Sequence, residues 1–148
     1  MIYIKTILLV EDNPNDVELT LAALADQNLA NHVVVVNDGV EALDFLHYEG
    51  KFHNRKEENP AVILLDIKMP RMDGIDVLKI IRNDPALKRI PVVMLTSSRE
   101  EPDLIKCYEL GVNAYVIKPV DFKYFMDAVK YLGIFWALIN ELPANGKS

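Results

Sequence analysis

Short apolar runs alternate with segments of helical periodicity along the whole chain, and this alternation limits the possible folds more than any other feature of the sequence. The strand-like runs are IKTILLV, HVVVVND, AVILLD, IPVVMLTS and NAYVIKP. Each is followed by a segment with helical spacing of apolar residues: DVELTLAALADQN, GVEALDFLHYE, GIDVLKIIRND, EEPDLIKCYELG and DFKYFMDAVKYLGIFWALINEL. Such alternation is typical of a parallel sheet covered by helices on both faces. The sequence therefore predicts an α/β fold, (βα)5, with a doubly wound five-stranded parallel sheet.

The chain length fits one domain. A chain of 148 residues buries about two thirds of its unfolded surface and forms a single core. We therefore predict one domain over residues 1–148. Two segments exceed what five βα units need: a polar loop over about 48–60, and a last helix that extends over about 121–142.

Charge and cysteine content exclude several classes of function. The 16 basic and 22 acidic residues give a net charge of -6, which has the wrong sign for binding a nucleic-acid backbone. Cys107 is the only cysteine, so no internal disulfide can form, and a reducing compartment is expected. No signal pattern opens the chain, and the apolar run YLGIFWALI is far shorter than the ~20 residues that span a bilayer. We expect a cytoplasmic protein that binds neither nucleic acid nor membrane.

Polar residues follow the predicted strands at the points where each strand ends. In an open parallel sheet the ligand site lies beyond the carboxyl ends of the strands. The residues at those ends are Glu11 and Asp12, Asp66, Thr96, and Lys118. The topology thus brings three carboxylates, one hydroxyl and one ammonium group to the same edge of the sheet.

This combination predicts phosphoryl chemistry assisted by a metal ion. Clustered carboxylates need a cation, and a partly open set of hard oxygen ligands favours Mg²⁺. Asp12 is the most direct ligand, Glu11 acts through water or tunes the charge, and the backbone carbonyl of Lys68 completes the shell. Asp66 can attack phosphorus if Mg²⁺ and Lys118 neutralise the transferring charge.

Two further residues fit this chemistry. Thr96 offers a donor to a phosphoryl oxygen, and the small Ser97 beside it leaves room for the group to enter.

Each of these residues also has a structural interpretation. Asp66 alone is more often a turn residue, and Glu11 and Asp12 alone more often serve the first helix, where Asn13 or Asn15 can act as the cap. The other candidates have equally ordinary roles as strand or strand-end residues: Thr96, Tyr115 and Lys118. Convergence at four strand ends favours the functional interpretation, whereas His32, His47 and His53 show no metal-ligand spacing.

Four motifs then resemble a known family. LLVEDN, LLDIKMPRMDG, VVMLTS and AYVIKP are similar to the signatures of the two-component response-regulator receiver domain, the CheY-like fold, over almost the whole chain. The resemblance implies the flavodoxin-like strand order 2-1-3-4-5. It also implies a role for each site residue: Asp66 as phosphoacceptor, Glu11 and Asp12 as acidic metal pair, Thr96 as switch hydroxyl, Tyr115 as switch aromatic and Lys118 as the amine.

The resemblance extends to cofactor and partners. It implies Mg²⁺, with Mn²⁺ as a substitute, a sensor histidine kinase as donor, and an output through protein contacts. The polar loop and the long last helix resemble the small regulators that partner cyanobacterial phytochrome kinases. Such a protein is not an enzyme acting on a separate substrate; it assists its own phosphorylation and dephosphorylation.

Other classes of protein fit the sequence less well. A haloacid-dehalogenase-type phosphatase has a second acid two residues after its nucleophile, where this chain has Lys68. A flavodoxin-like FMN carrier needs a phosphate loop after the first strand, but EDNPND would repel phosphate. A phosphorylation-independent binding module usually lacks the nucleophile or the acids, and this chain has both.

The last predicted helix is apolar on more than one side. Phe125, Val129, Leu132 and Trp136 form one stripe, and a second set extends around the helix: Tyr131, Ile134, Phe135, Leu138 and Ile139. We expect a symmetric homodimer through this helix and the neighbouring fourth helix. The alternative is that the helix folds back over its own domain. The sequence leaves open whether the Lys118–Pro119 bond is cis.

Overall fold

The computed structural model describes residues 2–25, 32–56, 58–97, 103–131 and 139–141. The strands in these ranges are β1 (Ile2–Ile4), β2 (Ile7–Val10), β3 (Val33–Val36), β4 (Val62–Asp66), β5 (Val92–Thr96), β6 (Ala114–Ile117) and β7 (Ile139–Glu141). The helices are α1 (Pro14–Ala25), α2 (Gly39–Leu46), α3 (Gly74–Asn83), α4 (Asp103–Glu109) and α5 (Phe122–Tyr131), and a 3-10 helix spans Gly50–Phe52.

Five strands form the predicted parallel sheet. Their order is β3-β2-β4-β5-β6, with every neighbouring pair parallel. If the five sheet strands are numbered along the chain, this is the order 2-1-3-4-5, so the predicted topology is confirmed. The strand order reverses at β2, which lies between β3 and β4, and the ends of β2 and β4 therefore meet where a ligand site is expected.

The sheet is buried on both faces, which explains why its strands are apolar throughout. All four residues of β2 are fully buried. Leu8 and Val10 contribute to an apolar cluster with α2, α3 and α4, whereas Ile7 and Leu9 contribute to a second cluster with α1 and α5. Alternate strand residues thus serve opposite cores, as in other sheets covered on two sides.

The predicted polar loop is more ordered than a simple exposed loop. The guanidinium of Arg55 lies 3.9 Å from the ring centroid of Phe45 and 4.2 Å from that of Tyr48. Its Nε donates a hydrogen bond to the carbonyl of Phe45 at 2.7 Å. Cation–π contacts on two rings hold the middle of this loop against α2.

The structure corrects the two ends of the fold. The predicted first strand, residues 4–10, is divided into β1 and β2, and β1 pairs antiparallel with β7 in a separate two-stranded sheet. The C-terminal helix is present as α5, but residues 139–141 are a strand, so it does not extend to residue 142 as predicted. The backbone of these residues pairs with β1 instead of continuing a helix. Most of the predicted dimer residues lie outside the described part of the chain: Leu132, Ile134, Phe135, Trp136 and Leu138.

The short apolar runs of the sequence predict no membrane span. Among the described residues, no helix has the length and hydrophobicity needed to cross a bilayer.

Candidate functional site

The predicted site residues lie at the carboxyl edge of the sheet. Glu11 and Asp12 directly follow β2, and Asp66 is the last residue of β4. The N–H of Glu11 donates to the carbonyl of Val36 at 3.0 Å, which continues the pairing of β2 with β3 for one more residue. The sheet therefore fixes where the acidic pair stands relative to Asp66.

Lys118 makes the central contacts of the site. It follows β6, and its Nζ donates to Asp66 Oδ1 at 3.2 Å and to Glu11 Oε1 at 3.3 Å. A third bond goes to Asp16 Oδ2 at 3.0 Å. The three N–H groups of one ammonium are thus matched by three carboxylates. Its peptide bond to Pro119 is cis.

Three acids form a cluster suited to a metal ion. Carboxylate oxygens of Glu11, Asp12 and Asp66 lie within 4.8 Å of one another. Among the described residues, these three acids form the one cluster whose ligand atoms are close enough to share a metal ion. Glu11 and Asp66 are buried, with 0% and 4% of their surface exposed, whereas Asp12 is exposed. Hard oxygen ligands that remain open to solvent on one side match the preference of Mg²⁺. The donor set therefore fits the predicted cation.

The protonation of these groups reflects their crowding. Burial, the hydrogen bond with Asp66 and the charge of Asp66 together raise the pKa of Glu11 to about 7. Burial also raises the pKa of Asp66, although Glu11 and Lys118 partly oppose this effect. Burial acts to lower the pKa of Lys118, but Asp16, Asp66 and Glu11 outweigh it and hold that pKa above its ordinary value. Two buried carboxylates in contact resist ionising together, and a bound cation would relieve this.

A small cavity of about 70 Å³ opens beside Asp66. Its lining includes the other candidates for phosphoryl contact: Lys68, Thr96, Ser97 and Lys118. Thr96 is 2% exposed, and its carbonyl accepts a hydrogen bond from the N–H of Lys118 at 2.7 Å. This backbone bond holds the ends of β5 and β6 together. Position 68, two residues after Asp66, is a lysine with an exposed side chain, so no second acid stands there.

The loop after Asp66 passes very close to the end of β4. The N–H of Gly74 donates to the carbonyl of Ile67 at 2.9 Å. A Cβ atom at position 74 would lie only 2.2 Å from the carbonyl oxygen of Asp66. Glycine is therefore required for α3 to begin this close to Asp66.

Tyr115 lies apart from the cavity beside Asp66. It occupies β6 and packs edge-on against Tyr108 of α4, with ring centroids 6.3 Å apart and an angle of 85° between the rings. Tyr115 and Tyr124 line a larger groove of about 510 Å³ that reaches Lys118 and Pro119. The predicted switch aromatic thus joins the site region to the surface between α4 and α5.

The contact between Asp16 and Lys118 was not predicted from the sequence. The acidic stretch EDNPND predicts metal ligands followed by a helix cap. Asn13 is that cap, because its side chain accepts hydrogen bonds from the N–H groups of Asn15 at 2.8 Å and Asp16 at 3.3 Å. The available signal was an acid in the first turn of the helix that follows the acidic pair. Only the structure shows that its carboxylate turns to Lys118.

Comparison with known proteins agrees with this geometry. The family model described as the response regulator receiver domain matches residues 7–130. Response regulator Rcp1 of Synechocystis sp. is 40% identical over 140 residues, which are 95% of this chain and 94% of Rcp1.

Solved structures give the same result. The bacteriophytochrome response regulator RtBRR has a TM-score of 0.84 and 59% identity, covering 95% of this chain and 85% of that chain. The phosphorylated cyanobacterial phytochrome response regulator RcpA has a TM-score of 0.72 and 40% identity, covering 92% and 94%. The Mn²⁺-bound form of Rcp1 has a TM-score of 0.71, covering 95% and 99%.

Proposed function

The chain belongs to the family of response regulator receiver domains, and from this membership we propose that it is a switch in which Asp66 accepts a phosphoryl group from a sensor histidine kinase. Accepting a phosphoryl group on an aspartate is the standard role of this family. The assignment of this role to Asp66 rests on the site geometry.

One observation carries the proposal. Asp66 is the buried carboxylate that is contacted by the ammonium of Lys118 at 3.2 Å, belongs to the acidic cluster and opens onto the small cavity. A carboxylate nucleophile toward phosphorus needs charge compensation on the transferring group and space for that group. Both conditions are met at Asp66.

The transfer itself requires little from the protein beyond position and charge. A carboxylate oxygen of Asp66 attacks the phosphorus atom of the phosphohistidine, a P–O bond forms, and the P–N bond breaks as the electron pair leaves with the imidazole. Lys118 places its positive charge beside the oxygens of the transferring group. Thr96 and Ser97, at the wall of the cavity, offer hydroxyl groups to those oxygens.

Glu11, Asp12 and Asp66 would hold a divalent cation, with the backbone carbonyl of Lys68 as a further ligand. A bound Mg²⁺, or Mn²⁺ as a substitute, supplies charge neutralisation for the phosphoryl oxygens. Receiver domains bind these ions at an acidic pocket.

We assign the switch to Thr96 and Tyr115. Once Asp66 is phosphorylated, the Thr96 hydroxyl moves to bond a phosphoryl oxygen, and Tyr115 turns into the vacated space. Tyr115 packs against Tyr108 of α4, so its movement changes the surface formed by α4, β6 and α5. The added charge biases an equilibrium between two packings.

The proposed partners follow from the relatives. Rcp1 is a response regulator, and RtBRR and RcpA are named as bacteriophytochrome and phytochrome response regulators. We therefore place this chain in a phytochrome pathway in the cytoplasm, with output through protein contacts rather than catalysis on a separate substrate.

We also propose a symmetric homodimer. Ile105 and Tyr108 of α4 and Tyr124 of α5 are 70%, 50% and 57% exposed, which leaves large apolar side chains on the face next to Tyr115. Clustered exposed apolar groups mark interaction sites.

Intact mass spectrometry tests the function. The wild-type chain is incubated with Mg²⁺ and acetyl phosphate, and we expect one added phosphoryl group that hydroxylamine removes. Asp66→Asn should gain none. Asp73→Asn is the matched control, since Asp73 caps α3 by accepting from the N–H of Asp76 and should leave phosphorylation intact. Phosphorylation that persists in Asp66→Asn would exclude Asp66 as the acceptor.

A further inference from the structure

Lys118 has one carboxylate partner that stands outside the acidic cluster. Of its three acceptors, Glu11 and Asp66 belong to the group suited to a metal ion, and Asp16 does not. The bond to Asp16 is also the shortest of the three, at 3.0 Å. The contact therefore needs an explanation beyond metal binding.

The position of Asp16 is built into the start of α1. The side chain of Asn13 accepts hydrogen bonds from the N–H groups of Asn15 and Asp16, which fixes the first helical turn. The side chains of Asp16 and Lys118 are 25% and 17% exposed, so their bond is partly shielded from water. Charge-assisted bonds gain strength under such conditions.

Lys118 and a cation compete for the same oxygens. A Mg²⁺ ion in the cluster would draw on the carboxylates of Asp66 and, directly or through water, of Glu11, and its charge would repel the ammonium group. An ammonium held only by these two residues would either leave the site or oppose the cation. Asp16 offers an acceptor that the cation does not use.

We infer that Asp16 is a positioning residue that holds the ammonium of Lys118 beside Asp66 while the cation occupies the acidic cluster. The inference rests on the proposed function, because it assigns Lys118 and the cluster the roles given above. Asp16 touches neither the phosphoryl group nor the cation; it acts through Lys118.

Mg²⁺ affinity of the full-length chain provides the first test. Asp16→Asn should weaken Mg²⁺ binding about fivefold, because Lys118 then pairs more closely with Glu11 and Asp66. Glu18→Gln is the matched control: Glu18 is an exposed acid on the same helix, and its loss removes the same charge. We expect that control to change the affinity less than twofold.

A double-mutant cycle shows whether Asp16 acts through Lys118. In a Lys118→Met background, Asp16→Asn should weaken Mg²⁺ binding no more than Glu18→Gln does in that same background. An equal loss in both backgrounds would overturn the inference, because Asp16 would then affect the cation directly.

The position of the ammonium can also be observed. In nitrogen-15 NMR spectra with Mg²⁺ present, the Lys118 ammonium signal should shift in Asp16→Asn and should remain near its wild-type position in Asp16→Glu, which keeps the carboxylate. Thermal melting confirms that each variant is folded. An unchanged Lys118 signal in folded Asp16→Asn contradicts the inference.

Phosphorylation separates the two proposals. If wild type gains a phosphoryl group on Asp66 but Asp16→Asn matches Glu18→Gln in Mg²⁺ affinity and in phosphorylation rate, the positioning role is wrong and the proposed function stands. If wild type gains no phosphoryl group with Mg²⁺ and acetyl phosphate, the proposed function fails, and this inference fails with it. A slower phosphorylation of Asp16→Asn, restored by Asp16→Glu, supports both.

Discussion

Lys118 holds its ammonium group within hydrogen-bond distance of carboxylates from three different segments. Lys118 is not one of the proposed metal ligands, yet its ammonium lies 3.2 Å from Asp66, the proposed phosphoacceptor. Removing Lys118 should therefore leave cation binding intact but impair phosphorylation of Asp66 and the surface change that follows it.

We predict that Lys118→Met binds Mg²⁺ at least as tightly as wild type, because the carboxylates supply the ligands and lose a competing cation. Phosphorylation of Asp66 should slow about a hundredfold, since one charged donor to the transferring group is lost. The phosphorylated form should not change the surface near Tyr115. Magnesium titration, intact mass and NMR spectra of α4 and α5 measure these effects; a normal surface change on phosphorylation would argue against the role given to Lys118.

Gly74 offers a second test at the scale of one residue. Gly74→Ala should reduce the free energy of unfolding by about 1–3 kcal/mol, because its Cβ would overlap the carbonyl of Asp66. Urea unfolding measures the loss, and phosphorylation should slow as the end of β4 shifts.

Gly50→Ala is the control for that change. Gly50 has a φ of 55°, so alanine there costs about 1 kcal/mol. It begins the 3-10 helix after α2, and its Cβ would meet the side chain of Asp44 and not Asp66. Equal phosphorylation rates for the two variants would show that Gly74 does not position Asp66.

The residues at strand ends were predictable, whereas Asp16 was not. Glu11, Asp66 and Lys118 occupy positions that follow from the (βα)5 topology alone, and the structure brings them within bonding distance of one another. Asp16 lies inside a helix, where side-chain direction depends on how α1 packs on the sheet. Tertiary packing of this kind leaves no local pattern in the sequence.

The helices are started by local caps, and α2 shows this most clearly. Asp38 accepts a hydrogen bond from the N–H of Glu41 at 2.9 Å and another from Nε of Arg71 at 3.1 Å. Burial acts to raise the pKa of Asp38, but these partners outweigh it and hold that pKa below its ordinary value of 3.8. The cap thus joins α2 to the loop that follows Asp66.

We predict that Asp38→Ala lowers the free energy of unfolding by about 1 kcal/mol near neutral pH through loss of the cap. Because the folded pKa is depressed, the carboxylate contributes stability above pH 3.8, and that contribution is lost as the pH falls through the lower folded value. Urea unfolding of wild type and of Asp38→Ala should show that the difference between their free energies of unfolding shrinks as the pH falls below 3.8. Asp38→Asn keeps a capping oxygen and should fall between them.

The pairing of β1 with β7 is the part of the fold that the sequence does not predict, because it joins segments distant in the chain. The five strands of the main sheet were predicted because their apolar runs are continuous. The pairing of β1 with β7 joins segments from opposite parts of the chain, Ile2 with Glu141 and Ile4 with Ile139. The apolar pattern predicts a helix through about residue 142, so it gives no indication that residues 139–141 form a strand and pair with β1.

We propose that the exposed face of α4 and α5 determines the oligomeric state of the protein in solution. We predict a dimer in sedimentation experiments, and Ile105→Glu should weaken it about tenfold or more by placing a charge in an apolar contact. Leu19→Glu is the control, since Leu19 is 50% exposed but lies on α1.

Phosphodonor should alter the dimer's strength, because Tyr115 joins this face to the site. The predicted residues Phe135 and Leu138, changed together to Glu, provide an independent variant. A monomer for wild type, with and without phosphodonor, rules the dimer out.

The bond between Lys118 and Glu11 spans 107 positions of the chain, and that between Lys118 and Asp66 spans 52. Contacts of such sequence separation form only when most of the chain has folded. During synthesis, Asp66 leaves the ribosome well before Lys118 does. A nascent chain therefore carries Asp66 without its ammonium partner, and the full set of contacts around Lys118 exists only in the finished molecule.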